Sequence, residues 1–286
     1  MNLQDYLEEN LHPSTAKNYL YEINKFRLLN RKTEHYDYKK VMEYVEELRK
    51  SYPPNTINRI VSALKKYYDY LQETEQRSDN PARSIKLRDA KDNPIQLQDL
   101  FSEKELQKLL VPRIERYPFL TKKNQIIMSL LVYQALKSGE IIQLKTDDVN
   151  LEKATIQITG TGITNSRILP LKAQQILLLY EFINQDRNKL KTIRNDENAL
   201  LLGKLGTPIT GDDINYLIST YQKEFAKNLT TITIRQSVIT NLLSKGNDLR
   251  MVQEFAGHKH LDTTEKYRQT GIKALQNAID KHHPIK

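Results

Sequence analysis

The hydrophobic pattern of the first part of the chain predicts a small domain of helices. Tyr19, Ile23 and Phe26 recur at the spacing of one helix face, and Ser14 is the predicted N-cap of that helix. The Pro53-Pro54 pair separates the next two helices, because proline cannot continue a helix interior. Those two helices are predicted from two further one-sided apolar stripes, Val41, Tyr44, Val45 and Leu48, then Ile57, Ile60, Val61, Leu64, Tyr68 and Leu71.

A linker is predicted where this helical period stops. From Glu73 to Gln98 the apolar positions lose their spacing, Pro81 and Pro94 appear, and basic residues alternate with polar ones. The chain is therefore predicted to hold an N-terminal helical domain over residues 1–82, a linker over 83–98 and a second domain over 99–286.

The second domain is predicted to be mostly helical with one small antiparallel sheet. Ser102 and Glu105 form the sequence pattern of a capping box at the start of its first helix. Segments 154–158 and 167–170 flank a turn-rich stretch that contains Gly160 and Gly162, a pattern typical of a hairpin. Helical periods are found over 123–136, 174–187, 211–225, 232–243, 249–255 and 272–281. The predicted fold class is mainly α.

Composition excludes several kinds of chemistry. The chain has no cysteine, which removes disulfides, thiolate catalysis, thiolate zinc sites and iron-sulfur clusters. Glycine-rich nucleotide motifs and the zincin motif H-E-x-x-H are absent, so we expect no cofactor and no metal. No apolar run approaches the length of a membrane span, and the first residues carry acids where a signal peptide would carry bases. We therefore expect a cytoplasmic protein without a membrane partner.

The distribution of charge indicates a polyanionic partner. The net charge is +9, and residues 101–286 carry 27 basic and 19 acidic side chains. Basic residues also lie on the polar side of the third predicted helix. Arg59, Lys65 and Lys66 on that helix are candidate contacts to such a partner.

Three segments of the second domain carry longer sequence motifs. The segment Ala256-Gly-His-Lys-His-Leu-Asp-Thr-Thr-Glu-Lys-Tyr267 resembles the L-G-H-x-x-x-x-T-T-x-x-Y box of the tyrosine recombinases, the phage-type integrase family. The segment that begins at Glu140 and the later Arg-Ile-Leu-Pro-Leu171 resemble the catalytic core, and residues 14–82 resemble the N-terminal core-binding, or SAM-like, domain. The tail Lys281-His-His-Pro284 resembles the end of Xer-type members, so the resemblance spans nearly the whole chain.

The resemblance implies site-specific recombination or integration of double-stranded DNA without a metal, with Arg59, Lys65 and Lys66 on the DNA backbone. In this family a tyrosine attacks a DNA phosphate, which gives a 3′-phosphotyrosyl link and a free 5′-hydroxyl. Tyr267 matches that nucleophile, Arg235 the second catalytic arginine and His258 the histidine of the box. Lys137 stands where the family has its first arginine, so the positive charge is kept but the planar fork is lost.

Two further positions depart from the family. Ile232 replaces a histidine three residues before Arg235, and Thr161 aligns with the hairpin lysine that protonates the leaving oxygen. These changes predict an attenuated recombinase. The alternative is a catalytically impaired DNA-binding pseudo-recombinase that acts as a structural or regulatory partner. The family also implies a homo-tetramer on paired sites, or a hetero-assembly with a related recombinase.

Overall fold

The computed structural model describes residues 1–29, 32–87, 95–191 and 198–268. These residues form two compact units, Met1–Asn93 and Pro94–Lys286, each with its own hydrophobic core. The helix predicted over 272–281 lies outside the described residues. None of the helices in the described ranges is both long enough and apolar enough to cross a bilayer.

In the part of the first unit that the structure describes, four α-helices pack around one core. Asp37 caps the third of them by accepting a hydrogen bond from the backbone N–H of Lys40, and Pro54 occupies the first position of the fourth. Proline fits there because the first turn of a helix needs no amide hydrogen bond. The helices are α1 (Leu3–Asn10), α2 (Pro13–Leu29), α3 (Tyr38–Arg49) and α4 (Pro54–Glu73).

The chain after α4 folds back onto that helix. Ala82 and Ile85 are both buried in the core of the first unit. The side chain of Asn80 donates to the backbone oxygen of Lys65 and to Asp69, and the Lys65 ammonium group donates to the carbonyl of Ile85 at 2.7 Å. The segment up to residue 87 thus packs with the first unit.

The second unit contains the remaining helices and the sheet. Ser102 and Glu105 make both hydrogen bonds of the predicted capping box. The helices are α5 (Glu103–Lys108), α6 (Thr121–Tyr133), α7 (Ser138–Gln143), α8 (Ala173–Glu181), α9 (Arg187–Lys191), α10 (Gly211–Tyr221), α11 (Thr231–Ser244), α12 (Leu249–Ala256) and α13 (Leu261–Arg268). A π-helical turn, Phe182–Asp186, joins α8 to α9.

A three-stranded antiparallel sheet connects α7 to α8. Its strands are β1 (Val149–Asn150), β2 (Thr155–Ile158) and β3 (Arg167–Pro170), in the order β1-β2-β3. Ile156 pairs with Leu169, and both side chains are buried against the helices. The hairpin predicted between β2 and β3 is present, and α11 packs on α6, α12 and α13 beside it. The mainly helical fold class with a small antiparallel sheet is confirmed.

Candidate active site

Arg235 lies at the centre of a buried polar cluster. Thr230 caps α11 by accepting a hydrogen bond from the N–H of Thr233, and Arg235 follows one turn later. Its side chain is only 6% exposed. The guanidinium group donates to the carbonyl oxygens of Ala135 at 2.5 Å and Ala256 at 2.6 Å. One arginine therefore fixes the connection before α7 and the end of α12 around itself.

Ala135 adopts a backbone conformation that alanine rarely takes. Its φ of 50° lies in the left-handed region, where a Cβ atom crowds the following carbonyl. This conformation aims its carbonyl oxygen at Arg235, and the resulting bond is buried. The hydrogen bond to a charged donor offsets part of the backbone strain.

His258 is held by two hydrogen bonds, one accepted from Arg235 and one donated to Thr264. It follows Gly257, which ends α12 in the left-handed conformation at φ 68°. Nε2 of His258 lies 3.0 Å from Nη2 of Arg235, and Nδ1 lies 2.9 Å from Oγ1 of Thr264. Because arginine always donates, Nε2 is the acceptor, and Nδ1 therefore carries the hydrogen of the neutral ring.

The surroundings of His258 favour its neutral form. Burial disfavours the protonated imidazole most strongly, and the positive charges of Arg235, Lys137 and Arg167 disfavour it further. The negative charge of Glu140 acts in the opposite direction. Together they lower the pKa of His258 to about 4. The imidazole is thus uncharged at neutral pH and can act as a hydrogen-bonding group of fixed orientation.

Tyr267 lies on α13 with its ring stacked on that of His258. The ring centroids are 5.8 Å apart and the planes differ by 16°. Burial raises the pKa of the Tyr267 phenol, while the charges of Arg235 and Lys266 oppose that shift. The phenol is therefore protonated at neutral pH, so an attack by its oxygen would require the loss of that proton.

Lys137 caps the N-terminus of α7 beside this cluster. Its backbone N–H donates to Oε2 of Glu140 at 2.9 Å, which is one half of a capping arrangement. The side chain is partly buried. Burial lowers the pKa of Lys137, and the nearby charges of Arg235 and Arg167 lower it further, while Glu140 opposes.

A buried ion pair between Arg167 and Glu140 completes the site, and sequence reasoning missed it. The two nitrogens Nη1 and Nη2 of Arg167 donate to the carboxylate at 2.8 Å and 3.0 Å, and the side chains are 6% and 2% exposed. Burial alone would raise the pKa of Glu140, but the hydrogen bonds and charge of Arg167 hold it below its usual range. The available signal was strand alternation, because Arg167 occupies the same face of β3 as the buried Leu169.

Arg167 also contacts the end of α12. Its Nε donates to the carbonyl of Phe255 at 2.9 Å. Through Glu140 the same side chain is connected to the backbone of Lys137. Arg167 thus joins the sheet to the two segments that carry Lys137 and His258.

The turn between β2 and β3 is closed by its own threonines and rests on the histidine segment. The N–H of Thr161 donates to the carbonyl of Thr164 at 3.0 Å, and the two hydroxyl oxygens are 2.8 Å apart. Thr164 is buried and forms an isolated β-bridge with His258, and the N–H of Asn165 donates to the carbonyl of Gly257. Thr161 therefore lies in the turn next to the site but carries only a hydroxyl group.

Ile232 occupies the first turn of α11 and is 65% exposed. It stands three residues before Arg235 and has no polar side-chain atom. An isoleucine there cannot donate a hydrogen bond to a ligand of the cluster.

The three basic residues predicted to bind DNA lie on α4 of the first unit. Arg59 pairs with the buried Glu22 at 2.7 Å, and Lys65 donates to the carbonyl of Ile85. Lys66 is partly buried. The structure brings Lys137, Arg235, His258 and Tyr267 into one cluster in the second unit.

Replacing Gly257 with alanine should destabilise the protein by about 3 kcal/mol or more. A Cβ atom there would overlap the guanidinium group of Arg167, in addition to the left-handed φ. Gly246 is the matched control, because its φ of 83° is also left-handed but nothing lies within 4 Å of an added Cβ. Gly246→Ala should cost only about 1 kcal/mol. Urea denaturation measures both, and equal costs would contradict the close approach to Arg167.

An arginine and an imidazole buried beside a phenol define the class of this site. The cation and the ring are suited to hold a phosphodiester, and the tyrosine is suited to attack it covalently. Among residues 1–29, 32–87, 95–191 and 198–268, no group of three or more histidine, aspartate or glutamate side chains is placed to hold a metal ion. These groups fit a site for phosphoryl transfer in which a tyrosine would act as the nucleophile.

The family models identify the chain. Residues 101–272 match the phage integrase family, and residues 3–75 match the phage integrase N-terminal SAM-like domain. The chain belongs to the phage integrase family, the tyrosine recombinases. The resemblance found in the sequence is confirmed.

Curated relatives and solved structures agree with this assignment. Tyrosine recombinase XerD of Staphylococcus haemolyticus is 34% identical over 207 residues, which is 68% of this chain and 69% of that protein. XerD of Oceanobacillus iheyensis is 29% identical over 231 residues, 80% of this chain and 76% of that protein. The XerH recombinase in a post-cleavage complex with its palindromic substrate has a TM-score of 0.72 at 22% identity, covering 94% of this chain and 80% of that chain. At that identity the structural match shows the shared fold.

Proposed function

We propose that this protein is a site-specific recombinase that breaks and rejoins double-stranded DNA through a 3′-phosphotyrosyl bond to Tyr267. The convergence of Arg235, His258 and Tyr267 in one buried cluster carries this proposal. Relatives named tyrosine recombinases and a fold shared with recombinases in complex with DNA support it.

The geometry suggests how the cluster acts on a phosphate. The guanidinium group of Arg235 is held in one plane by the carbonyls of Ala135 and Ala256, so its orientation is fixed before DNA binds. Fixed donors in a dry site stabilise the negative charge that develops on the phosphate oxygens. The oxygen of Tyr267 attacks phosphorus, and the bond to the 5′ oxygen breaks.

We infer that the rate is attenuated. Lys137 supplies a point charge instead of two aligned donors, and Ile232 supplies no donor. Loss of one transition-state donor typically costs about 100- to 1,000-fold in rate. Loss of a general acid at Thr161 would cost about 100- to 10,000-fold unless another group replaces it.

Covalent capture of DNA tests the proposal. On a nicked substrate that carries a site found by binding selection, the protein should accumulate a covalent adduct that resists denaturation. Tyr267→Phe should abolish that adduct, whereas Tyr216→Phe, an exposed tyrosine of α10, should leave it unchanged. Absence of any Tyr267-dependent adduct on a bound site would contradict strand cleavage and leave DNA binding alone.

We also propose that the first unit contributes DNA contacts through the basic side of α4. Lys66 carries no ion pair or hydrogen bond among the described residues, and Arg59 could exchange Glu22 for a phosphate. Lys65 already donates one N–H of its ammonium group to the carbonyl of Ile85. To contact DNA at the same time, it must use a second N–H of that group. Binding that depends on such contacts weakens steeply with salt, because each neutralised phosphate releases counterions.

We propose that the protein assembles into a tetramer on paired DNA sites through a groove on the second unit. The groove measures about 540 Å³ and lies between α5, α6, α11 and α12. We propose that the apolar stripe of residues 272–279 of a neighbouring subunit fills it. A related recombinase could supply the same stripe in a hetero-assembly. The apolar residues that line the groove include Leu106, Leu110, Val132, Val238, Leu242, Met251, Val252 and Phe255.

A charge placed in the groove should weaken cooperative binding to two DNA sites. Met251 is 66% exposed and lines the groove, so Met251→Glu should reduce cooperativity by about tenfold or more without unfolding the protein. Leu205→Glu is the control, since Leu205 is 67% exposed and does not line the groove. Gel-shift titration on one-site and two-site DNA separates affinity from cooperativity. An equal loss in both variants would argue against the groove.

A further inference from the structure

Lys137 differs from the other cations of the site because its proton can be transferred. An arginine remains protonated throughout the accessible pH range, so Arg235 and Arg167 stabilise charge but do not give up a proton. His258 is neutral, and its two ring nitrogens are occupied by Arg235 and Thr264. A lysine ammonium group has three hydrogens and an ordinary amine as its conjugate base.

The backbone around Lys137 is held by hydrogen bonds to two charged residues of the site. Two residues earlier, the carbonyl of Ala135 accepts the bond from Arg235. The N–H of Lys137 is bonded to Glu140, whose carboxylate holds Arg167. Within the described ranges, the ammonium group itself has no hydrogen-bond or ion-pair partner. Lys137 is thus anchored through its backbone while its charged end stays available.

The hairpin turn offers no competing donor. Residues 160–166 read Gly-Thr-Gly-Ile-Thr-Asn-Ser, and none of these side chains is a usable acid near neutral pH. The hydroxyl group of Thr161 is already bonded to that of Thr164. The turn therefore does not supply the proton for the leaving oxygen.

We propose that Lys137 is the general acid of strand cleavage and gives its proton to the leaving 5′ oxygen of the DNA. This role rests on the recombinase function proposed above. The Tyr267 oxygen forms the new bond to phosphorus, and the bond between phosphorus and the 5′ oxygen breaks with its electron pair on oxygen. The Lys137 ammonium group protonates that oxygen to a hydroxyl and becomes an amine. Water takes the phenolic proton and returns one to the amine, so the step is balanced.

The charges around Lys137 suit this role. Arg235 on α11 and Arg167 on β3 face it, with Glu140 on its own helix as the opposing charge. Burial and the two arginines lower the pKa of Lys137, which makes proton transfer near neutral pH easier. An incoming phosphate counteracts that shift and keeps the ammonium form in place until the 5′ oxygen becomes negative.

Two substrates and one conservative variant test the proposal. Lys137→Arg keeps the charge but removes the transferable proton. On ordinary DNA this variant should form the Tyr267 adduct about 100-fold more slowly or worse. On DNA with a sulfur in place of the 5′ bridging oxygen, it should stay within a few-fold of the unsubstituted protein, because a thiolate leaves without protonation. Lys137→Met, of similar length, should lose rate on both substrates because it also lacks the charge.

A second acid at position 161 should change the effect of Lys137→Arg on the cleavage rate from slowing to acceleration. In a protein that carries Thr161→Lys, the same Lys137→Arg change should raise the rate on ordinary DNA, because the hairpin then supplies the proton and arginine is the better phosphate ligand. The unsubstituted protein should also slow as pH rises through the Lys137 pKa, and the arginine variant should not.

The outcomes distinguish this proposal from the function on which it rests. A faster Lys137→Arg protein in the unsubstituted background would overturn the proton donor, as would an equal slowing on oxygen and sulfur substrates. If the unsubstituted protein forms no Tyr267-dependent adduct on either substrate, the recombinase function fails and the proposal fails with it. Thermal unfolding of each variant verifies that the compared proteins are folded.

Discussion

A protein carrying both Thr161→Lys and Ile232→His should cleave ordinary DNA about 100-fold faster or more than the unsubstituted chain. The lysine would supply a general acid from the turn that rests on His258, and the histidine would add a donor three residues before Arg235. Each contribution of this kind is typically worth about 100-fold. Because Lys137 is proposed to act already as an acid, the gain from Thr161→Lys alone should be the smaller part. Single-turnover formation of the Tyr267 adduct measures the rate.

The control for this gain is a lysine at another position of the same turn. Ile163 is 74% exposed, so Ile163→Lys adds the same charge without placing it where Thr161 stands. It should strengthen DNA binding slightly through charge and leave the cleavage rate of bound DNA nearly unchanged. If Ile163→Lys accelerates cleavage as much as Thr161→Lys, general electrostatic attraction explains the effect and position 161 has no special role.

Arg167→Met should destabilise the second unit by about 3 to 5 kcal/mol. The substitution leaves Glu140, which is 2% exposed, as a buried charge without its partner. Chemical denaturation should show the loss, and Arg167→Met with Glu140→Leu should recover most of it because no charge then remains buried. Arg113→Met is the comparison. Its partner Glu115 is less enclosed, so the cost should be about 1 kcal/mol.

A failure of the double substitution to recover stability would indicate that the contact between Arg167 and the Phe255 carbonyl matters more than the ion pair. The Phe255 carbonyl, left without its hydrogen-bond donor, would then account for the lost stability. Recovery of stability without recovery of DNA cleavage is the expected pattern, because the double variant folds but no longer holds the Lys137 backbone through Glu140.

Local rules explain why much of the fold could be predicted from the sequence. The capping box of Ser102 and Glu105 involves residues three apart, so its pattern is complete within one turn of helix. The hairpin of β2 and β3 depends on alternation and a turn in one short stretch. Helix α1 was not predicted, since Leu3, Tyr6 and Leu7 form a stripe too short to stand out in the sequence.

The site was predictable only where a family motif marked it. The segment around His258 and Tyr267 carries such a motif, whereas the pairing of Arg167 with Glu140 joins residues 27 apart that no local period relates. The carbonyls of Ala135 and Ala256 carry no side-chain signal at all, yet they orient Arg235. Backbone acceptors of this kind are known only once the tertiary fold is known.

The hydrogen bond from Arg235 to Nε2 of His258 links ligand binding to proton uptake. A bound phosphate would draw the guanidinium donors toward itself and bring negative charge close to the ring. The imidazole would then lose a donor that disfavours its protonation and gain an anion that favours it, so its affinity for a proton would rise. Calorimetric heats of DNA association would consequently vary with the ionisation enthalpy of the buffer on the acidic side of neutrality. The protonation state of His258 would therefore change when DNA occupies the site.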